Sequence, residues 1–205
     1  MSVASRDADV RLARNLSIVS ATWGAAAAVV ALALGIASGS LSTVGFAIDS
    51  AIDSAASVAL VWRFHVERQD PDRANHVEHV ADRVVGVVLI VSAVVLVIGA
   101  VRALIAEPEI HPLPAQTVLL IASLVVLPPL AIAKRRVASR LGSRALANDS
   151  LLTAAAAVLA LVALLSNLAA TQLGIWWADP IGAIAIALVL AREGLTAVRE
   201  AARPE

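Results

Sequence analysis

Four uncharged stretches dominate this 205-residue chain: Asn15–Ile48, Val84–Val101, Ile110–Ala133 and Ser150–Ala178. A helix needs about 20 apolar residues to cross the roughly 30 Å hydrocarbon layer of a bilayer. No water-soluble core calls for four such stretches in a chain this short. The 60% hydrophobic and 16% charged content fits lipid as the solvent for much of the surface, since soluble domains run about 45–50% apolar and about 25% charged. The first stretch is too long for a signal-peptide core and is followed by further spans. With no cysteine in the chain, disulfides and thiolate ligands are excluded, and a bound metal would meet nitrogen or oxygen.

Breaks and charges predict an all-α membrane protein, a bundle of six transmembrane helices. They are expected near Leu16–Ala37, Ser42–Val66, Val77–Ile105, Ala115–Ala133, Ser143–Ala169 and Pro180–Arg199. Ser38-Gly39-Ser40 separates the first two, and Glu67–Asp82 reads as a polar loop into the third. Pro108, Pro112 and Pro114 mark the next turn, while Pro128 and Pro129 are expected to kink helix 4. The expected organisation is a tail over 1–14, a membrane domain over 15–200 and a short tail over 201–205. In this arrangement fifteen of the sixteen Lys and Arg fall on one side, leaving Arg102 on the other. The positive-inside rule then puts both termini in the cytoplasm. Trp176 and Trp177 read as interfacial anchors, and Lys134-Arg135-Arg136 as a site for anionic headgroups. Nothing points to nucleic acid or to an enzyme. Abundant Ala, Val and Arg fit a GC-rich bacterium, hence its plasma (inner) membrane.

Asp49 and Asp53 lie four apart in helix 2, on one face and one turn apart. Carboxylates at membrane depth are costly and mark function by default, and like charges at this spacing repel. Something cationic is therefore expected between them. With every Lys and Arg assigned to a membrane surface, no buried basic partner is expected, which leaves a metal, protons or both in exchange. The bland reading is an aspartate facing a water-filled vestibule. Ser50, Ser54 and Ser57 with Ala51, Ala55 and Ala56 allow close helix approach.

The run Gly39-Ser40-Leu41-Ser42-Thr43-Val44-Gly45-Phe46-Ala47-Ile48-Asp49, continuing through Asp53-Ser54 to Ser57, resembles helix 2 of the cation diffusion facilitators. Glu78, Leu146-Ala147-Asn148-Asp149 and Ala178-Asp179-Pro180-Ile181 resemble the entries to helices 3, 5 and 6, extending the likeness over roughly residues 10 to 200. The resemblance implies a six-helix exporter, a homodimer, that exchanges a divalent metal for protons, with Asp49 and Asp53 as ligands. Two departures stand out. The family's helix 5 His-x-x-x-Asp falls on Leu152 and Ala156, which cannot bind a metal, and few residues follow helix 6 where a cytoplasmic domain is usual. The likeness is to short, transmembrane-only members.

Asp149 could replace the lost ligands, with Thr153 four residues on and the Asn148 amide nearby; the competing reading of Asp149 is a helix N-cap. Such an oxygen-rich site suits Mn²⁺ or Mg²⁺ by hardness, although zinc also binds carboxylates. His76 and His79 could share a metal or be solvated. Asp179 reads as a cap before Pro180. His65 lies near an interface and His111 in an outer loop.

The sequence thus reads as a secondary transporter exporting a divalent metal cation, zinc first and Mn²⁺ or Co²⁺ as alternatives, in exchange for protons. The rival is a non-transporting membrane metal sensor or assembly protein that kept the scaffold without the helix 5 ligands. A carrier of a non-metal cation is a third reading.

Overall fold

The computed structural model describes residues 3–66, 71–107, 111 and 113–201. Within these described residues six helices follow one another: α1 Val3–Ser38, α2 Leu41–Val66, α3 Pro71–Ala106, α4 Pro114–Leu141, α5 Arg144–Gln172 and α6 Ala178–Ala201. The shortest, α6, has 24 residues, which at 1.5 Å per residue is about 36 Å and enough to span a bilayer. Among the described residues, five stretches, one in each helix except α2, are long and apolar enough to cross a membrane. The 26 residues of α2 also give it the length to cross. It packs against α1, α3, α5 and α6.

Elements are longer than the sequence patterns suggest, and the differences have local causes. Helix α3 starts at Pro71, inside the expected polar loop, because proline's fixed φ suits a first helical turn. Helix α1 runs back to Val3, so the expected N-terminal tail is helical from that residue. Helix α4 does not stop at Ala133. It carries Pro128 and Pro129 in its interior and runs to Leu141, where Gly142 (φ 65°) closes it in the left-handed conformation and donates its N–H to the Ala138 carbonyl. Ser143 caps α5 by accepting from the Leu146 N–H at 3.3 Å.

The bundle is built from three intimate pairs, α1 with α2, α3 with α6 and α4 with α5, with α2 and α5 touching across the middle. Val29, Ile36, Val118, Val125 and Leu188 point outward, where lipid makes apolar exposure natural. Phe46, Leu96, Leu120, Leu159, Ile186 and Leu190 fill the interior. Small residues set the closest crossings, as is usual where lipid removes the hydrophobic drive between helices. A Cβ at Gly194 would stand 2.7 Å from the Gly86 carbonyl oxygen, and one at Gly86 would stand 2.8 Å from that of Gly194. Backbone lies on both sides, so neither contact can relax by a rotamer change. Gly194→Ala is expected to destabilise the protein by about 1–3 kcal/mol, the usual cost of overpacking; thermal unfolding in detergent checks this, with Gly99→Ala as a control whose Cβ would meet only the Leu41 side chain at ordinary van der Waals distance.

Candidate cation site

Asp49 and Asp53 sit inside the bundle, 5% and 4% exposed. One turn of α2 separates them, so they face the same inter-helix space. Asp49 Oδ2 has no hydrogen-bond partner among the described residues. Asp53 Oδ1 faces the Thr153 hydroxyl of α5 at 3.4 Å. A buried carboxylate oxygen without a hydrogen-bond partner among the described residues is costly, and a cation would relieve that cost.

The expectation that no basic side chain is buried here is wrong. Lys134 is fully buried, and its ammonium stands 2.7 Å from Asp149 Oδ2, 2.7 Å from Ser20 Oγ, 2.9 Å from Thr153 Oγ1 and 3.3 Å from Ser57 Oγ. Four oxygens from α1, α2 and α5 thus surround an ammonium that can donate only three hydrogen bonds. Ser57 in turn donates to Asp149 Oδ1 at 2.8 Å. The Thr153 hydroxyl donates to the Asp149 backbone carbonyl at 3.0 Å, leaving its lone pairs to the lysine. Lys134 also acts electrostatically on Asp53.

The physical reason is the continuation of α4. Its inward stripe runs Leu120, Ser123, Leu127, Leu130, Ala131, Lys134, Val137 and Ala138. Lys134 therefore belongs to the buried face, while Arg135 and Arg136 point outward and stay available to headgroups. The signal was in the sequence: Lys134 is the only lysine, and all fifteen other cationic side chains are arginine. A compact ammonium fits a four-oxygen pocket that a planar guanidinium does not.

Asp149 is not an N-cap. Ser143 has that role, and Asp149 lies further along α5, buried and ion-paired. Thr153 joins it on the inward face of α5, followed by Ala156, Ala160 and Ala163. Ala156, on this inward face, offers only a methyl group. Asn148 points out of the bundle, and His111 is exposed. The side chains of His65, His76, Glu78 and His79 lie outside the described residues. Glu193 of α6, half-buried beside the Gly86–Gly194 crossing, acts electrostatically on Asp49 and is itself acted on by Asp53. Nothing in the sequence marks it, because it follows Arg192 where the apolar run of α6 ends. Among the described residues, no three His, Cys, Asp or Glu side chains converge as a ready-made metal shell.

Asp179 does cap a helix, but not its own. From the start of α6 its carboxylate accepts from Ser40 Oγ at 2.6 Å, the Leu41 N–H at 2.7 Å, the Ser42 N–H at 3.4 Å and the Ser42 hydroxyl. It therefore binds the N-terminus of α2 to α6, where an anion is favoured by the free N–H groups. Thr43, one residue further on, receives a hydrogen bond from Gln116 of α4.

This is a polar, carboxylate-rich interior enclosed by apolar helices. The model of the cation efflux transmembrane domain matches residues 17–203, a range that contains every residue of the cluster. The chain belongs to the cation efflux family, the cation diffusion facilitators, a family of membrane cation transporters.

Proposed function

We propose that this protein is a secondary transporter that exports a divalent metal cation from the cytoplasm in exchange for protons, with Asp49 and Asp53 receiving the cation. The observation that carries the reading is the buried pair on α2 with an unpaired oxygen on Asp49. Zinc is the first cargo to test because of the family. Manganese and cobalt follow, because every donor in the cluster is an oxygen. Neighbouring carboxylates titrate as a coupled unit, so protons can replace the metal on the same atoms. Removing Lys134 from the surface charge count leaves fourteen of fifteen arginines on one side, which supports cytoplasmic termini. A homodimer in a bacterial plasma membrane completes the reading.

Reconstitution into proteoliposomes with an imposed pH gradient tests it. Zinc flux is expected, and Asp49→Asn or Asp53→Asn is expected to lower it about tenfold or more, the usual scale for weakening a metal site. Flux equal to that of empty vesicles for zinc, manganese, cobalt and iron would overturn the proposal. That outcome would favour a second reading, a non-transporting sensor or assembly protein, for which the lysine already seated among the α5 oxygens is the supporting observation.

A further inference from the structure

The Lys134 cage has the composition of a cation site: one carboxylate and three hydroxyl oxygens drawn from three helices around a single positive charge. That charge arrives on a side chain of α4 and cannot leave. Its neighbours place it at the edge of the aspartate pair. Thr153 touches both the ammonium and Asp53, and Ser57 touches both the ammonium and Asp149. The buried groups therefore form a chain of neighbours rather than one shell: Asp49 adjoins Asp53 and Glu193, Asp53 feels both Asp149 and Lys134, and Lys134 pairs with Asp149.

We infer that Lys134 is a tethered counter-cation of the transport site: it holds Asp149 out of the cargo's coordination and competes with the cargo for Asp53. The inference rests on the reading that Asp49 and Asp53 receive the cation. The ammonium sets how tightly the site holds a divalent ion. By neutralising one carboxylate it lowers the attraction of the site for a divalent ion, and so keeps the ion releasable. It also explains how the site manages without the family's helix 5 pair. Asp149 is spent on the lysine, so the cargo is held chiefly from α2.

The two partners give opposite signs, which a purely structural ion pair would not. In Lys134→Gln the amide can keep the hydroxyl contacts while the positive charge is gone, leaving Asp149 free to join the cargo. Divalent affinity is expected to rise about tenfold or more, the scale of one unit charge acting across a few ångströms at an effective dielectric of about 20, and flux is expected to fall because release slows. In Asp149→Asn the ammonium loses its anion and turns to Asp53, so affinity is expected to fall by about tenfold. The double variant is expected to bind within about threefold of the original protein.

The measurement is calorimetric titration of the detergent-purified full chain with zinc and with manganese, on material checked as folded by gel filtration. Opposite shifts from the two single variants support the inference; one of them folding is enough, since each has its own sign. Binding by the unmodified chain with Lys134→Gln or Asp149→Asn unchanged, or both shifted the same way, overturns the inference alone. No binding by the unmodified chain overturns it together with the α2 reading, and flux data separate the two.

Discussion

Asp149→Leu is expected to lose about 3–5 kcal/mol of stability, the cost of leaving one member of a buried ion pair without the other. The Lys134 ammonium has no surface to retreat to, since its side chain is fully buried and its other contacts are hydroxyls on α1, α2 and α5. Hydroxyl dipoles solvate a cation but do not neutralise it, and Ser57 would also lose the acceptor for its proton. The double variant Lys134→Met, Asp149→Leu removes both charges and keeps comparable volume. It is expected to recover most of the loss, because replacing a buried pair by apolar groups is often neutral or better. Thermal unfolding of the purified variants in one detergent gives the comparison. A single variant as stable as the parent would mean that the lysine escapes to solvent and that the pair does not organise α4 against α5. The exposed Arg140–Asp9 pair between α4 and α1, at 3.1 Å, provides the contrast; Arg140→Ala is expected to cost less than about 1 kcal/mol.

Most of the architecture was legible because a bilayer imposes it. Uncharged length, proline and glycine breaks and arginine asymmetry each reflect a constraint that acts locally along the chain, and together they gave six helices close to those found. The aspartate pair was legible for the same reason, since two carboxylates four residues apart on an apolar helix are anomalous wherever the other helices lie. What escaped was the nonlocal pairing. Lys134 sits beside Arg135 and Arg136 in sequence, and a charge run at the end of an apolar stretch ordinarily faces water. Only the 3–4 residue spacing back through Ala131, Leu130 and Leu127, together with its being the single lysine, marks it as different. Asp179 escaped similarly: a cap is sought on the helix that follows, whereas this carboxylate serves a helix 138 residues away. Glu193 carries no local anomaly at all, and its relevance comes from the close α3–α6 crossing at Gly194.

Loss of the Asp179 carboxylate is expected to loosen the end of the bundle where α2 begins. Four donors converge on it: two hydroxyls and two backbone N–H groups at the start of α2. In Asp179→Ala these donors are buried without an acceptor, and hydrogen bonds to a charged group are worth about 1.5–3 kcal/mol each when a partner is removed. Not all of that is lost, because the freed end of α2 can move to meet water or a headgroup. That movement is the functional consequence. The Asp179 latch ties α2, the helix carrying Asp49 and Asp53, to α6, which carries Glu193. A transport cycle that exposes the aspartates alternately must change how these helices meet. Because the chain contains no cysteine, a single introduced thiol reports one place. Thr43→Cys lies just beyond the latch at a fully buried position, and its reaction with a water-soluble maleimide is expected to be slow. Adding Asp179→Ala is expected to speed labelling about tenfold or more, corresponding to a shift of about 1.4 kcal/mol toward an opened end. Unchanged labelling would mean that Gln116, the helix α4 partner of Thr43, holds this end closed without Asp179, and that α2 and α6 are joined by packing alone.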